Sequence, residues 1–100
     1  MSLSVTVDNG VVRVTGEVDV SNADELRSAL VGELEAGAAS VSVDLSEVPY
    51  IDSTGIGVLV GAAHHAAEKG VSFEVVRPQK NVARVLGLLG VSADLNVREA

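Results

Sequence analysis

Leu3, Val5 and Val7 alternate with Ser4, Thr6 and Asp8, and after Asn9-Gly10 the alternation resumes with Val12 and Val14 against Arg13 and Thr15. A period of two with one apolar side marks half-buried strands. Asn-Gly supplies two residues tolerant of positive φ, as a type I′ turn requires, so this segment predicts a hairpin. The period then changes: Ala23, Leu26, Leu30 and Leu34 fall on one helical face that Gly37 closes, and Ser21 with Asp24 three residues on resembles a capping box at its start. Val41, Val43 and Leu45 alternate with Ser42, Asp44 and Ser46 as a strand that Pro49 stops. Ile56, Leu59, Ala63 and Ala66 recur at helical spacing as far as Gly70. Phe73 and Val75 alternate with Ser72 and Glu74 before Pro78, Val82, Val85, Leu86 and Leu89 form a third helical face before Gly90, and a short strand around Leu95 to Val97 follows.

The order β-β-α-β-α-β-α-β predicts an α/β fold, a mixed central sheet with α-helices packed mainly on one face. With 100 residues, 47% of them hydrophobic, residues 1–100 are expected to make one domain with a real core. The sequence holds no internal repeat, linker or low-complexity run, and every connection is short.

Charge and composition then remove whole classes of function. There is no cysteine, which excludes disulfides and thiolate metal sites. Met1-Ser2-Leu3-Ser4 lacks the charged and apolar regions of a leader, and the longest apolar-leaning stretch, Val48 to Ala67, is broken by Asp52, His64 and His65, so no membrane span is expected and a cytoplasmic protein is. The net charge is −7, with most acids before the second helix and most bases late in the chain. That balance disfavours nucleic acid and suits a protein partner with a basic face.

The chemistry centres on Asp52-Ser53-Thr54-Gly55, where a strand-like run gives way to a helix-like one. Ser53 is thereby placed at a helix N-terminus, where unpaired N–H groups and the helix dipole favour negative charge and would tolerate a phosphate. The plainer reading is that Asp52 or Ser53 only caps the helix. Gly55, Gly57 and Gly61 miss the dinucleotide spacing by one residue, Gly57 and Gly61 are expected to be small for close helix packing, and no Gly-Lys-Ser or Gly-Lys-Thr occurs. Ser53 lacks the leading glycine of a hydrolase nucleophile, and His64 and His65 lie about three turns away, roughly 15 Å at 1.5 Å per residue. Those adjacent histidines point in different directions and do not make a helical metal pair. Asp-Ser-Thr-Gly has one residue more than the Asp-Thr-Gly of aspartic proteases and occurs without a second copy. These exclusions point to a binding protein without catalytic equipment, metal or cofactor, whose serine is another protein's substrate.

Over essentially its whole length the chain resembles stand-alone STAS domains of the bacterial anti-anti-sigma factor type. Gly16-Glu17-Val18-Asp19 resembles the family's Gly-Glu-Leu-Asp, Val43-Asp44-Leu45-Ser46 leading to Ile51-Asp52-Ser53-Thr54-Gly55-Ile56-Gly57 resembles its hallmark segment, and Val82 to Val91 its late Leu-rich helix. The resemblance implies phosphorylation at Ser53, with Thr54 at a position that accepts Ser or Thr. It implies partner switching: the unphosphorylated form binds an anti-sigma factor that is also a serine kinase and frees the sigma factor, phosphorylation breaks the complex, and a serine phosphatase restores it. The partner surface it implies comprises Asp19, Ser21, Asp52, Ser53, Thr54, Gly55, Gly57, Val58 and Gly61, with Asp19 and Asp52 near Ser53 if the fold holds. Gly57, Val58 and Gly61 are expected on an exposed helix rim, against the alternative that Val58 packs on a neighbouring helix. Many members carry a further helix where this sequence reaches Ala100. The competing roles on the same fold are a scaffold of a stress-signalling complex and a soluble accessory subunit of a transport system; the competing role of another kind is a nucleotide hydrolase.

Overall fold

A computed structural model describes residues 3–99. The leader reading at Met1-Ser2 and the end point at Ala100 lie outside the described residues. Strands β1 (Ser4–Asp8) and β2 (Val11–Thr15) pair antiparallel with Val7 opposite Val12, and the turn takes positive φ at Asn9 (51°) and Gly10 (80°), as the Asn-Gly pair predicts. Gly10 has a second reason to be glycine, since a Cβ there would lie 2.6 Å from the carbonyl oxygen of Ser40.

Helix α1 (Ala23–Glu35), β3 (Ser40–Glu47), α2 (Ser53–Lys69), β4 (Ser72–Val76), α3 (Lys80–Leu88) and β5 (Val97–Arg98) follow in alternation. The sheet order is β1-β2-β3-β4-β5, parallel from β2 onward. Every crossover steps the same way across the sheet, and parallel crossovers are right-handed, so the helices share one face. Toward that face point Val12, Val14, Val41, Val43, Leu45, Phe73 and Val75, all buried against Leu26, Leu30 and Leu34 of α1, Ile56, Leu59 and Ala63 of α2, and Val82 and Leu86 of α3. Each fully buried leucine contributes on the order of 1.5–3 kcal/mol.

The opposite face of the sheet is polar, and its centre is Asp44. This carboxylate is buried because the guanidinium groups of Arg77 and, at 4.0 Å, Arg13 close over it, while the Ser46 N–H donates to it at 2.9 Å. Burial raises its pKa, but the Ser46 N–H and Arg77 outweigh burial and hold it below the ordinary aspartate value.

Three local expectations are corrected. Helix α1 starts at Ala23 with Asn22 as its N-cap, so Ser21 and Asp24 make no capping box; the Ser21 hydroxyl donates to Asp19 instead. The third helical face is narrower than its pattern, because Val82 and Leu86 are buried while Val85 and Leu89 are exposed. Strand β5 is Val97–Arg98 alone, since Asn96 takes φ 49° and breaks the extension from Leu95, which is buried within a turn.

Candidate functional site

Two strand-to-helix connections meet at the C-terminal end of the parallel strands. They are stitched together backbone to backbone: Val18 N–H donates to Tyr50 O and Asp52 N–H to Val18 O, both at 3.0 Å, forming a parallel bridge of Val18 with Ile51. Gly55 makes this closeness workable. A Cβ on Gly55 would lie 2.7 Å from Cγ1 of both Val18 and Ile51, so the first turn of α2 rests directly on the bridge.

Asp52 holds both connections. As N-cap of α2 it accepts from Gly55 N–H at 3.0 Å through Oδ1, and through Oδ2 it accepts from Val20 N–H at 3.2 Å in the neighbouring connection. Asp19 organises that neighbour: its carboxylate accepts from the Ser21 N–H at 2.9 Å and from the Ser21 hydroxyl, and its carbonyl accepts from Ala23 N–H at 2.9 Å. The Ser21 hydroxyl and N–H hold the Asp19 carboxyl below its ordinary pKa. Two aspartates thus flank one corner, one of them bridging the two turns.

Ser53, the first residue of α2, stands in this corner and is exposed, as is Thr54. Among the described residues the Ser53 hydroxyl enters no hydrogen bond, because the capping work falls to Asp52. The first-turn N–H groups of Ser53 and Thr54 precede any intrahelical acceptor and leave positive potential beside the hydroxyl. One and two turns further along, Gly57 and Gly61 lie on the same side of the helix, exposed, with nothing within 4 Å of where a Cβ would be. This corrects the expectation that they are small for close packing: they leave a bare strip of helix backbone beside Ser53.

Val58 is also corrected. It is only 7% exposed and belongs to the core, because α2 packs against α1 as well as the sheet and so buries a wide arc that includes Ala62. Gly55 is buried as well, and its place in the corner is to let α2 approach. Val20 and Tyr50, which the sequence pattern did not single out, are 75% and 50% exposed and frame the corner with apolar surface. Their signal was available: each is a large side chain in a connection, outside the periodic faces of either neighbour.

Elsewhere the chemistry is thin. His65 and Lys69, at the far end of α2, face Glu35 at 3.7 and 3.0 Å, and Lys69 is the main reason the Glu35 carboxyl sits below its ordinary pKa. Among the described residues no group of three or more His, Cys, Asp or Glu is placed to hold a metal ion. An open cavity of about 340 Å³, lined by Ser40, Ser42, Ser72, Glu74, Asn96 and Arg98 among others, lies at the opposite end of the strands from Ser53. Glu74 is already engaged there by the Ser42 hydroxyl at 2.6 Å and Arg98 at 2.7 Å. No helix among the described residues is long and apolar enough to cross a membrane.

A family model for the STAS domain matches residues 1–100. The chain is 33% identical over 86 residues to the anti-sigma-B factor antagonist of Bacillus subtilis, covering 86% of this chain and 78% of the relative. It is 31% identical over 88 residues to the protein of that name from Staphylococcus epidermidis, covering 88% and 82%. The fold matches the crystal structure of an anti-sigma factor antagonist from Mycobacterium paratuberculosis with a TM-score of 0.83 at 24% identity, over 99% of this chain and 86% of the other.

Proposed function

The chain belongs to the STAS domain family, and on that premise we propose that it is an anti-sigma factor antagonist whose unphosphorylated form binds an anti-sigma factor and is switched off by phosphorylation of Ser53. The observation that carries this reading is the division of labour at the corner: Asp52 caps α2, so the Ser53 hydroxyl is exposed and structurally idle. Asp19, Asp52 and the bare strip at Gly57 and Gly61 supply the surrounding surface, with Ser21 acting through Asp19 and Thr54 beside the acceptor.

The partner is a serine kinase as well as an anti-sigma factor. In the transfer, Ser53 Oγ forms a bond to the γ-phosphorus of the nucleotide, the bond from that phosphorus to the bridging oxygen breaks, and the hydroxyl proton leaves to a base on the kinase. Asp52 is unsuited to be that base, since both its oxygens already accept backbone N–H groups. The product carries about −1.5 to −2 charges at neutral pH. It faces the nucleoside diphosphate still in the kinase and adds to the charge of Asp52 beside it and of Asp19 in the neighbouring connection, so repulsion and the cost of desolvating a dianion separate the partners without refolding. A serine phosphatase removes the charge and restores binding. The function is therefore binding, with turnover belonging to the partners.

Incubation with the cognate anti-sigma kinase and ATP tests this. Mass spectrometry should find one phosphate, on Ser53, and Ser53→Ala should bind the kinase while accepting none. Phosphate on Thr54 or on Ser21 instead would move the switch off Ser53.

A further inference from the structure

Helix α3 is more apolar than its place in the core requires. Its inward residues Val82 and Leu86 are buried, yet Val85, Leu88 and Leu89 are 38%, 80% and 56% exposed. Asn81, Arg84, Val85 and Leu88 follow the i, i+3, i+4, i+7 spacing of one helical stripe, and Leu89 at the C-cap extends it. Single exposed apolar residues are ordinary, but two on one nine-residue helix with a third at its C-cap make a patch. The helix itself is held in place by its N-terminal flank, where Gln79 Nε2 donates to Ser46 O at 3.1 Å and Asn81 Nδ2 to Pro49 O at 2.8 Å.

The charge around the patch runs against the rest of the molecule. Residues 77–93 contain Arg77, Lys80 and Arg84 and neither Asp nor Glu, so with a net charge of −7 for the whole chain the remainder carries −10. Arg77 is spent on Asp44. Lys80 and Arg84 are exposed, and among the described residues neither forms an ion pair.

We propose that the outward face of α3 is a docking site for an acidic amphipathic helix of a partner protein, whose apolar stripe covers Val85, Leu88 and Leu89 and whose acidic flank meets Lys80 and Arg84. A helix of nine residues offers roughly 13–14 Å of ridge, enough for about two and a half turns of a helix laid along it. Charge favours this occupant over a neutral or basic helix: Lys80 and Arg84 border the apolar stripe and no Asp or Glu lies within residues 77–93, so an acidic flank finds its complement there. The contact is independent of Ser53.

The test titrates the isotopically labelled chain with a synthetic three-turn peptide carrying leucine on one stripe and glutamate elsewhere, followed by amide NMR. Saturable shifts should centre on α3, weaken with salt, and need about tenfold more peptide in Leu88→Ser and in Arg84→Glu, both of which melt as the unsubstituted chain does. A scrambled peptide of the same composition and a lysine-for-glutamate version should bind at least about tenfold more weakly. The proposal is overturned if these controls bind equally, if the shifts fall elsewhere, or if no shift occurs. It is equally overturned if Leu88→Ser abolishes dimers seen by sedimentation, or if the chain co-floats with phosphatidylglycerol vesicles.

Discussion

Helices α2 and α3 each follow a parallel strand and lie on the same side of the sheet, but they are fastened differently. The Asp52 side chain caps α2 at one end, and a left-handed Gly70 (φ 70°) closes the other, where Val71 N–H reaches Ala66 O at 2.8 Å. In between, α2 buries Gly55, Ile56, Val58, Leu59, Ala62, Ala63 and Ala66. Helix α3 has no side-chain cap on its own N–H groups and buries only Val82 and Leu86. The first is a rigid platform on which one small polar group is shown to solvent; the second is lightly attached and shows apolar surface. A platform of this kind suits a switch that works by added charge, because the hydroxyl can be modified with no part of the fold depending on it.

The contrast can be broken most forcefully at Ser53. Ser53→Asp should weaken binding to the anti-sigma factor by about a hundredfold or more, since like charge placed in an interface costs several kcal/mol, while a carboxylate at a helix N-terminus is neutral to favourable for folding. Binding isotherms paired with thermal melts separate the two effects. Gly55→Ala comes next, with about 1–3 kcal/mol of destabilisation in urea titrations, because its Cβ would press on Val18 and Ile51 at 2.7 Å. Asp52→Ala should cost about 1 kcal/mol through the lost cap, against less than about 0.5 kcal/mol for Gln79→Ala at the start of α3. Equal losses at the two positions would erase the distinction between the helices. The smallest effect is expected for Leu88→Ser, within about 0.5 kcal/mol of the unsubstituted chain, as its exposure implies. A loss of several kcal/mol there would mean that α3 is anchored by that face after all.

The element order was readable because period and punctuation are local: Asn9-Gly10, Gly37, Pro49, Gly70 and Pro78 each fall just past the end of an element. Ser53 was placeable for the same reason, since its position follows from where a strand pattern ends and a helix pattern begins. What failed depends on neighbours distant in sequence. Val58 is buried because α2 contacts α1 as well as the sheet, and a helical wheel does not report how wide a buried arc will be. Gly57 and Gly61 read alike whether a neighbour or open solvent fills the missing side chain. Val85 and Leu89 belong to an apolar arc only half of which the core covers. Asp44 sits at a polar position of its strand, and its burial requires arginines from β2 and from beyond β4.

In the proposed switch the charge on Ser53 decides binding. The direct measurement is the affinity of the anti-sigma factor for the chain before and after stoichiometric phosphorylation at Ser53, with the melting temperature of each form recorded alongside. The phosphorylated form should bind at least about a hundredfold more weakly with an unchanged melt, as a surface dianion on an idle side chain requires. Equal affinities for the two forms, or a loss of binding that tracks a loss of folded structure, would contradict the switch.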